Sequence, residues 1–242
     1  MKFLQCLAII FMILSIVAGS FLIPVAIAVY LHEWNMLPAF FIPMAVLWPV
    51  TLLLFLKTKQ NRIQLTVREG ILLVSAAWLG AGLLGAVPFM LSGLVPYFSD
   101  AFFESVSGFT TTGASALENI ESYPMALRVW RTQMHWLGGM GIVALTVALF
   151  PLLGVGGFQL IKSETSGPDK GKVTAKITHT AKALWFIYLG MTVLQILLLC
   201  LADMPFLEAM CHSFSTLGTG GFSSRNTSIG YYNSAAIEII CT

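Results

Sequence analysis

The stretch Asp100-Ala-Phe-Phe-Glu-Ser-Val-Ser-Gly-Phe-Thr-Thr-Thr-Gly-Ala-Ser115 recurs in altered form as Pro205-Phe-Leu-Glu-Ala-Met-Cys-His-Ser-Phe-Ser-Thr-Leu-Gly-Thr-Gly-Gly-Phe-Ser223. A shift of 108 residues aligns the two segments without a gap. The aligned identities include Ser105 with Ser213, Ser107 with Ser215, Thr111 with Thr219, Gly113 with Gly221 and Ser115 with Ser223. Each segment lies between two apolar runs, so the chain holds two copies of helix, re-entrant segment and helix. Internal duplication of this kind is common in membrane transport proteins.

Both segments are too apolar for simple loops and too short to span a membrane. Each predicts a short helix that enters the membrane partway and a return through extended backbone, at residues 110–113 (the first filter segment) and 218–221 (the second filter segment). Irregular backbone is tolerated at membrane depth only when it is buried in protein or lines a watery cavity. Glycine permits positive φ, threonine adds hydroxyl oxygens, and the short helix points its negative C-terminal end at the same place. This combination indicates a cation filter of backbone carbonyls, and the alternative is a pair of ordinary Thr/Gly turns.

The composition places the chain in a membrane. Of its 242 residues 57% are hydrophobic and 10% are charged, and the mean hydropathy is +0.84. Soluble domains carry roughly 25% charged residues, and disordered chains need low hydrophobicity, so both classes are excluded. The apolar runs are long enough for membrane-spanning helices and too long for barrel strands. They cover residues 3–31, 36–56, 71–95, 132–158 and 183–202, and a sixth begins near 229.

Several functions receive no support. The net charge of +2 does not predict a nucleic-acid partner, and no nucleophile–base pair or metal cluster predicts an enzyme or a bound cofactor. The four cysteines are isolated and fit buried apolar positions better than disulfides or metal ligands. Lys2 and Ala18-Gly19-Ser20 also resemble a secretory signal, but the apolar run to Leu31 is too long for its core.

Charge distribution predicts the topology. Ten of the 13 basic residues are Lys2 and two loop clusters, which are Lys57, Lys59, Arg62 and Arg68, and Lys162, Lys170, Lys172, Lys176 and Lys182. The positive-inside rule places the N-terminus and both loops in the cytoplasm, so both re-entrant segments enter from outside. The sixth run ends after about 14 residues, short of the roughly 20 that a span requires, which predicts that the chain is truncated.

Four motifs carry a resemblance to a known family. They are Ser107-Gly-Phe-Thr-Thr-Thr-Gly-Ala-Ser115, Trp136-Leu-Gly-Gly-Met-Gly-Ile142, Ala181-Lys-Ala-Leu-Trp185 and His212-Ser-Phe-Ser-Thr-Leu-Gly-Thr-Gly-Gly-Phe-Ser223. Together they resemble Trk-type potassium-uptake membrane subunits, and the two extra helices at the start fit the TrkH-like form rather than the shorter KtrB-like form. The family has four helix–pore–helix repeats around one pore. The resemblance therefore implies an all-α polytopic membrane protein with two of four expected repeats.

The resemblance also implies a division of the chain. Residues 1–66 would hold two N-terminal membrane helices, 67–158 the first repeat, 159–182 a cytoplasmic basic loop, and 183–242 a second repeat truncated in its last helix. It implies potassium uptake across the bacterial cytoplasmic membrane through a four-sided filter. In this chain the filter residues would be Thr110, Thr111, Thr112, Gly113, Gly218, Thr219, Gly220 and Gly221, with K⁺ facing oxygens of Thr111, Thr112, Thr219 and Gly220.

The partners implied are membrane lipid, a TrkA-like cytosolic nucleotide-binding ring near the basic faces at 57–68 and 159–182, and a second copy in a homodimer. Gly218 and Gly220 stand where the first copy has Thr110 and Thr112, so the filter would be asymmetric. Transport of another monovalent cation by a KtrB-like protein is therefore the main alternative. A membrane sensor or enzyme is a weaker one.

Other polar residues near the filter segments leave alternatives open. The glycines at 138, 139 and 141 fit either a bend or close helix packing. Arg128 and Arg131 are expected to snorkel to the interface or to shape the field at the pore mouth. Glu104 and Glu208 would attract cations to the vestibule, lie on a solvated edge or cap the short helices.

Overall fold

The computed structural model describes residues 2–58, 66–153 and 170–242, and regular structure in these ranges is helical, with no strand. The α-helices are α1 (Lys2–Ser20), α2 (Leu22–Tyr30), α3 (Leu37–Lys57), α4 (Val67–Leu91), α5 (Phe98–Phe109), α6 (Met125–Leu153), α7 (Lys170–Leu201), α8 (Phe206–Leu217) and α9 (Ala235–Cys241). Short 3₁₀ turns occupy Trp34–Met36, Ile120–Ser122 and Ser228–Tyr232. The predicted all-α architecture is confirmed.

Four helical stretches in the described part of the chain are long and apolar enough to cross a membrane. They are Phe3–Tyr30, Trp34–Lys57, Arg68–Leu91 and Lys182–Leu201. The fourth predicted run, 132–158, lies mostly within α6, which is not among these four. Lys59, Arg62 and Lys162 fall outside the described residues, as does the predicted boundary between 158 and 159. α4 begins at Val67, whereas α7 runs through the boundary predicted at 182. The division into domains stays a prediction.

The first apolar run is divided at Phe21 into α1 and α2. Ala18 and Phe21 are fully buried, so the segment that resembles a signal cleavage site is part of the packed core. Phe21 contacts Trp130 of α6 edge-on, with 4.6 Å between ring centroids. The Ser20 carbonyl accepts a hydrogen bond from Gln133 Nε2 at 2.8 Å. The residue that would donate to this carbonyl in a helix is Pro24, which has no N–H, so Gln133 of α6 satisfies an oxygen that the helix itself cannot.

Helix α6 is the centre of the fold, because it packs against α2, α4, α5, α7 and α8. Its Trp130 is fully buried and donates its indole N–H to the Gly85 carbonyl of α4 at 3.0 Å. The same ring faces Phe109 at the end of α5, with centroids 6.1 Å apart. This packing places α6 directly beside the end of α5, where the first filter segment begins.

Two helices of the fold begin at side-chain caps. Thr66 and Glu69 form a reciprocal capping box at the start of α4, which is the pattern expected of a Thr three residues before a Glu. The start of α6 is capped from a distance, because the Glu33 carboxylate accepts from the N–H groups of Met125 at 2.7 Å and Ala126 at 3.0 Å. A carboxylate there also meets the positive end of the helix dipole. The contact joins the N-terminal helices to the first repeat.

Candidate functional site

The two re-entrant helices obey the 108-residue shift at both ends. α5 is Phe98–Phe109 and α8 is Phe206–Leu217, and each has 12 residues. The 3₁₀ turns that follow also begin 108 residues apart, at Ile120 and Ser228. The 108-residue shift therefore holds for the helix boundaries as well as for the identical residues in the sequence.

Each re-entrant helix ends in the same hydrogen-bonded turn. In the first copy Thr112 N–H donates to the Ser107 carbonyl at 2.9 Å, and Thr111 N–H donates to the Gly108 carbonyl at 3.1 Å. In the second copy the equivalent bonds join Gly220 to Ser215 and Thr219 to Thr216, both at 2.9 Å. This pairing is the Schellman arrangement, which normally places glycine at the left-handed position.

Threonine occupies the left-handed position in both copies. The φ angle is 55° at Thr111 and 54° at Thr219. A β-branched residue with positive φ is a genuine outlier, and such strain of about 1–3 kcal/mol concentrates at functional sites. Because glycine would fit without strain, the repeated threonine indicates that its side chain is required there. Gly113 and Gly221 complete the pattern with φ angles of 75° and 107°.

The two filter segments touch each other. A Cβ atom added to Gly113 would overlap the carbonyl oxygen of Gly220. Glycine is therefore required at 113 for two independent reasons, its positive φ and the approach of backbone from the other copy. The contact brings together residues separated by more than 100 positions in sequence.

The carbonyl groups of both filter segments are unused by the described part of the chain. No hydrogen bond among the described residues ends on a backbone oxygen of 110–113 or 218–221. Gly218 is buried, whereas the other seven residues are half-buried or exposed, so most of these oxygens are accessible to an ion or to water. The C-terminal ends of α5 and α8 add partial negative charge at the same place. The Thr110 hydroxyl is already engaged, since it donates to the Val106 carbonyl at 2.7 Å, and the Thr112 hydroxyl lies 2.8 Å from it.

Helix α6 explains why the second filter segment carries glycine where the first carries threonine. A Cβ atom at Gly218 would lie 2.5 Å from the His135 carbonyl oxygen, and one at Gly220 would overlap the His135 ring. The asymmetry predicted from the sequence therefore has a packing cause. The same helix uses Gly138 against the Phe109 carbonyl and Gly139 against the Cα of Gly218. Close packing, one of the two interpretations of the α6 glycines, accounts for these two positions.

Glu104 and Arg131 form a buried ion pair behind the filter segments. Their side chains are 0% and 2% exposed, and Arg131 Nε lies 2.5 Å from Glu104 Oε1. Arg131 also donates to the Ser223 carbonyl at 3.0 Å and to the Ser115 hydroxyl at 3.2 Å. Its guanidinium lies 4.1 Å from the centre of the Phe222 ring. One arginine thus contacts the chain just after both filter segments.

This ion pair corrects the sequence-based expectations for both residues. Glu104 does not attract cations to a vestibule, because Arg131, the Ser115 hydroxyl and the Ala116 N–H occupy its carboxylate. Arg131 does not snorkel to the interface, because it is buried. The sequence did contain a sign of this pair, since a charged residue within an apolar segment indicates a buried partner. It did not identify that partner.

A second charged cluster joins the two loops that follow the filter segments. Arg225 Nη2 lies 2.5 Å from Glu208 Oε1, and its Nη1 lies 3.1 Å from Glu121 Oε2. The hydroxyl of Tyr232 donates to the other Glu208 oxygen. Glu208 is 8% exposed, so it does not lie on a solvated edge. A hydrogen bond from the Asn226 N–H and another from Arg225 lower the pKa of the Glu121 carboxyl.

Comparison with known proteins agrees with this geometry. The sequence profile of the TrkH family, described as a cation transport protein, matches residues 36–242. The chain belongs to the TrkH family. The resemblance to the TrkH-like form is thereby confirmed, as is the polytopic helical fold.

Several TrkH relatives match nearly the whole chain. The Trk system potassium uptake protein TrkH of Halomonas elongata is 44% identical over 223 residues, which are 91% of this chain and 46% of that protein. TrkH of Escherichia coli strain K12 is 38% identical over 249 residues, covering 99% of this chain and 50% of that protein. The crystal structure of the potassium transporter TrkH from Vibrio parahaemolyticus superimposes with a TM-score of 0.86 at 34% identity, covering 100% of this chain and 48% of that one. The chain thus spans about half the length of these TrkH relatives.

Proposed function

We propose that this chain supplies two sides of the potassium filter in a Trk-type uptake system of the bacterial cytoplasmic membrane. The observation that carries this assignment is the contact between two filter segments of equal backbone geometry whose carbonyl oxygens have no partner in the described chain. A dehydrated K⁺ needs oxygens from several sides to replace its water shell. The names of the relatives, which are Trk system potassium uptake proteins, support potassium as the transported ion.

Within this filter, K⁺ faces oxygens of Thr111 and Thr112 from the first copy and of Thr219 and Gly220 from the second. The strained backbone at Thr111 and Thr219 supports this assignment, because both copies tolerate strain to keep a hydroxyl at that position. The ion meets dipoles and no free carboxylate, since Glu104 is neutralised by Arg131. Weak multi-site binding of this kind allows the ion to leave again.

The arrangement in the cell follows from the charge pattern. The N-terminus and the basic faces at 57–68 and 159–182 are cytoplasmic, and both filter segments open to the outside. A TrkA-like regulatory subunit binds the basic side, and the full-length protein forms a homodimer. The second candidate function is transport of Na⁺ together with K⁺, which is favoured by the absence of hydroxyls at Gly218 and Gly220.

The test is uptake by the full-length gene product in cells that lack their own potassium uptake. We expect Rb⁺ uptake above cells without the gene, competition by K⁺, and a high ratio of Rb⁺ to Na⁺ uptake. A ratio near one supports the second candidate function. Absence of Rb⁺ uptake from correctly inserted protein contradicts potassium transport.

A matched pair of glycine variants connects this transport to the filter. Gly113→Ser is expected to lower the Rb⁺ to Na⁺ ratio with little change in membrane protein level, because a side chain there strains φ and displaces the Gly220 carbonyl. Gly230→Ser is the control, since no atom lies within 4 Å of a Cβ at that loop position. Equal ratios in the two variants would show that Gly113 is only a turn residue.

A further inference from the structure

His135 belongs to α6 of the first repeat but lies against the filter segment of the second. Its side chain is fully buried and stacks on Phe222, with ring centroids 4.1 Å apart and planes 17° from parallel. The backbone of Gly220 passes so close to the ring that no Cβ would fit between them. His135 therefore forms the wall behind the second filter segment.

A short hydrogen-bond chain connects this wall to the filter backbone. The Gly221 N–H donates to the Ser215 hydroxyl at 3.0 Å, and that hydroxyl lies 3.1 Å from His135 Nδ1. A serine hydroxyl that accepts from an amide still has one proton to donate. The Phe222 N–H lies 3.4 Å from Nδ1 and donates to it, which requires an unprotonated Nδ1. In this tautomer the Ser215 hydroxyl also donates to Nδ1, and the ring proton is on Nε2, which has no partner among the described residues.

These hydrogen bonds fix the direction of the Gly220 carbonyl in the second filter segment. The Gly221 N–H and the Gly220 C=O belong to one planar trans peptide, so they point in opposite directions. When Ser215 holds the N–H toward α8, the carbonyl must point away from α8. That direction agrees with the contact between the Gly220 oxygen and the first filter segment at Gly113. A free peptide flanked by two glycines would otherwise rotate easily.

We propose that His135 and Ser215 are positioning residues for ion selectivity, because they hold the Gly220 carbonyl in its ion-facing orientation through the Gly221 amide. The role rests on the proposed function and specifies how one side of the filter is kept rigid. Ser107 occupies the equivalent position in the first copy, and its hydroxyl has no partner within the residues described. In this part of the protein the hydrogen-bond chain thus distinguishes the second filter segment from the first.

Two alanine variants on the same helix test this role in the full-length protein. Ser215→Ala removes the hydroxyl that bonds to Gly221 and His135. Ser213→Ala removes an equally buried hydroxyl, two residues away, that has no partner in the described chain. We expect Ser215→Ala to lower the Rb⁺ to Na⁺ uptake ratio about fivefold, which is about 1 kcal/mol for one hydrogen bond, and Ser213→Ala to leave the ratio unchanged.

A third variant shows whether the two residues act together. His135→Phe keeps a ring against Phe222 but removes Nδ1. If both residues act through one chain, the double variant has the ratio of either single variant, whereas independent effects would multiply. If Ser215→Ala does not reach the membrane, the positioning role is tested by comparing the Rb⁺ to Na⁺ uptake ratio of His135→Phe with that of the wild type.

The outcomes separate this role from the function on which it rests. Wild-type Rb⁺ uptake with an unchanged ratio in Ser215→Ala or in His135→Phe overturns the positioning role and leaves potassium transport standing. The positioning role is also overturned if Ser213→Ala and Ser215→Ala lower the Rb⁺ to Na⁺ uptake ratio equally. Absence of wild-type Rb⁺ uptake overturns potassium transport itself.

Discussion

The buried pair of Glu104 and Arg131 makes a quantitative prediction about stability. Glu104→Gln keeps the shape of the side chain but leaves the Arg131 charge buried without its counter-ion. Removal of one partner of a buried pair costs about 3–5 kcal/mol, because the remaining charge stays desolvated. The neutral amide oxygen and Ser223 carbonyl satisfy part of the guanidinium, so the lower end of that range applies to Gln. At about 3 kcal/mol, the expected fall in the thermal midpoint is roughly 6–12 °C on the scale of soluble domains of 150–250 residues.

The assay is thermal unfolding of the purified full-length protein in detergent, and Glu121→Gln is the matched control. Glu121 pairs with Arg225 at 3.1 Å, but their side chains are 33% and 22% exposed. Water screens such a pair, so its loss is expected to leave the midpoint nearly unchanged. Equal shifts in the two variants would refute the reasoning. Addition of Arg131→Met to Glu104→Gln is expected to recover part of the loss, because no unpaired charge is then left inside the protein.

Two further predictions concern the filter and the topology. Thr111→Gly is expected to raise stability by about 1 kcal/mol in thermal unfolding, since glycine adopts φ of 55° without strain, while the Rb⁺ to Na⁺ uptake ratio falls with the lost hydroxyl. A fall in stability would mean that the threonine is not strained. In a cysteine-free background, a cysteine at Asn119 is expected to react with an impermeant reagent on intact cells, and one at Lys170 only after permeabilisation. Labelling of position 170 on intact cells would reverse the assigned orientation.

The sequence alone was sufficient for the repeat, because every part of that pattern is local. Apolar runs set the helix lengths, and the aligned Ser, Thr and Gly residues identified two equivalent turns. The structure has both short helices with boundaries 108 residues apart, as the alignment requires. Glycine at 113 was also predictable, since glycine permits the positive φ and the close approach of neighbouring backbone that suit a re-entrant segment.

Only the tertiary structure decided which polar groups meet. Glu104 and Arg131 are 27 positions apart, and His135 and Ser215 are 80 apart. Their contacts exist because α6 packs simultaneously against α5 and α8. Sequence patterns show which face of a helix is apolar but not which neighbour covers it. Two of the alternatives that the sequence left open, a solvated edge for Glu104 and snorkelling for Arg131, were therefore wrong. The requirement for glycine at 218 and 220 also comes from tertiary packing, because His135 of the other repeat occupies the space that side chains there would need.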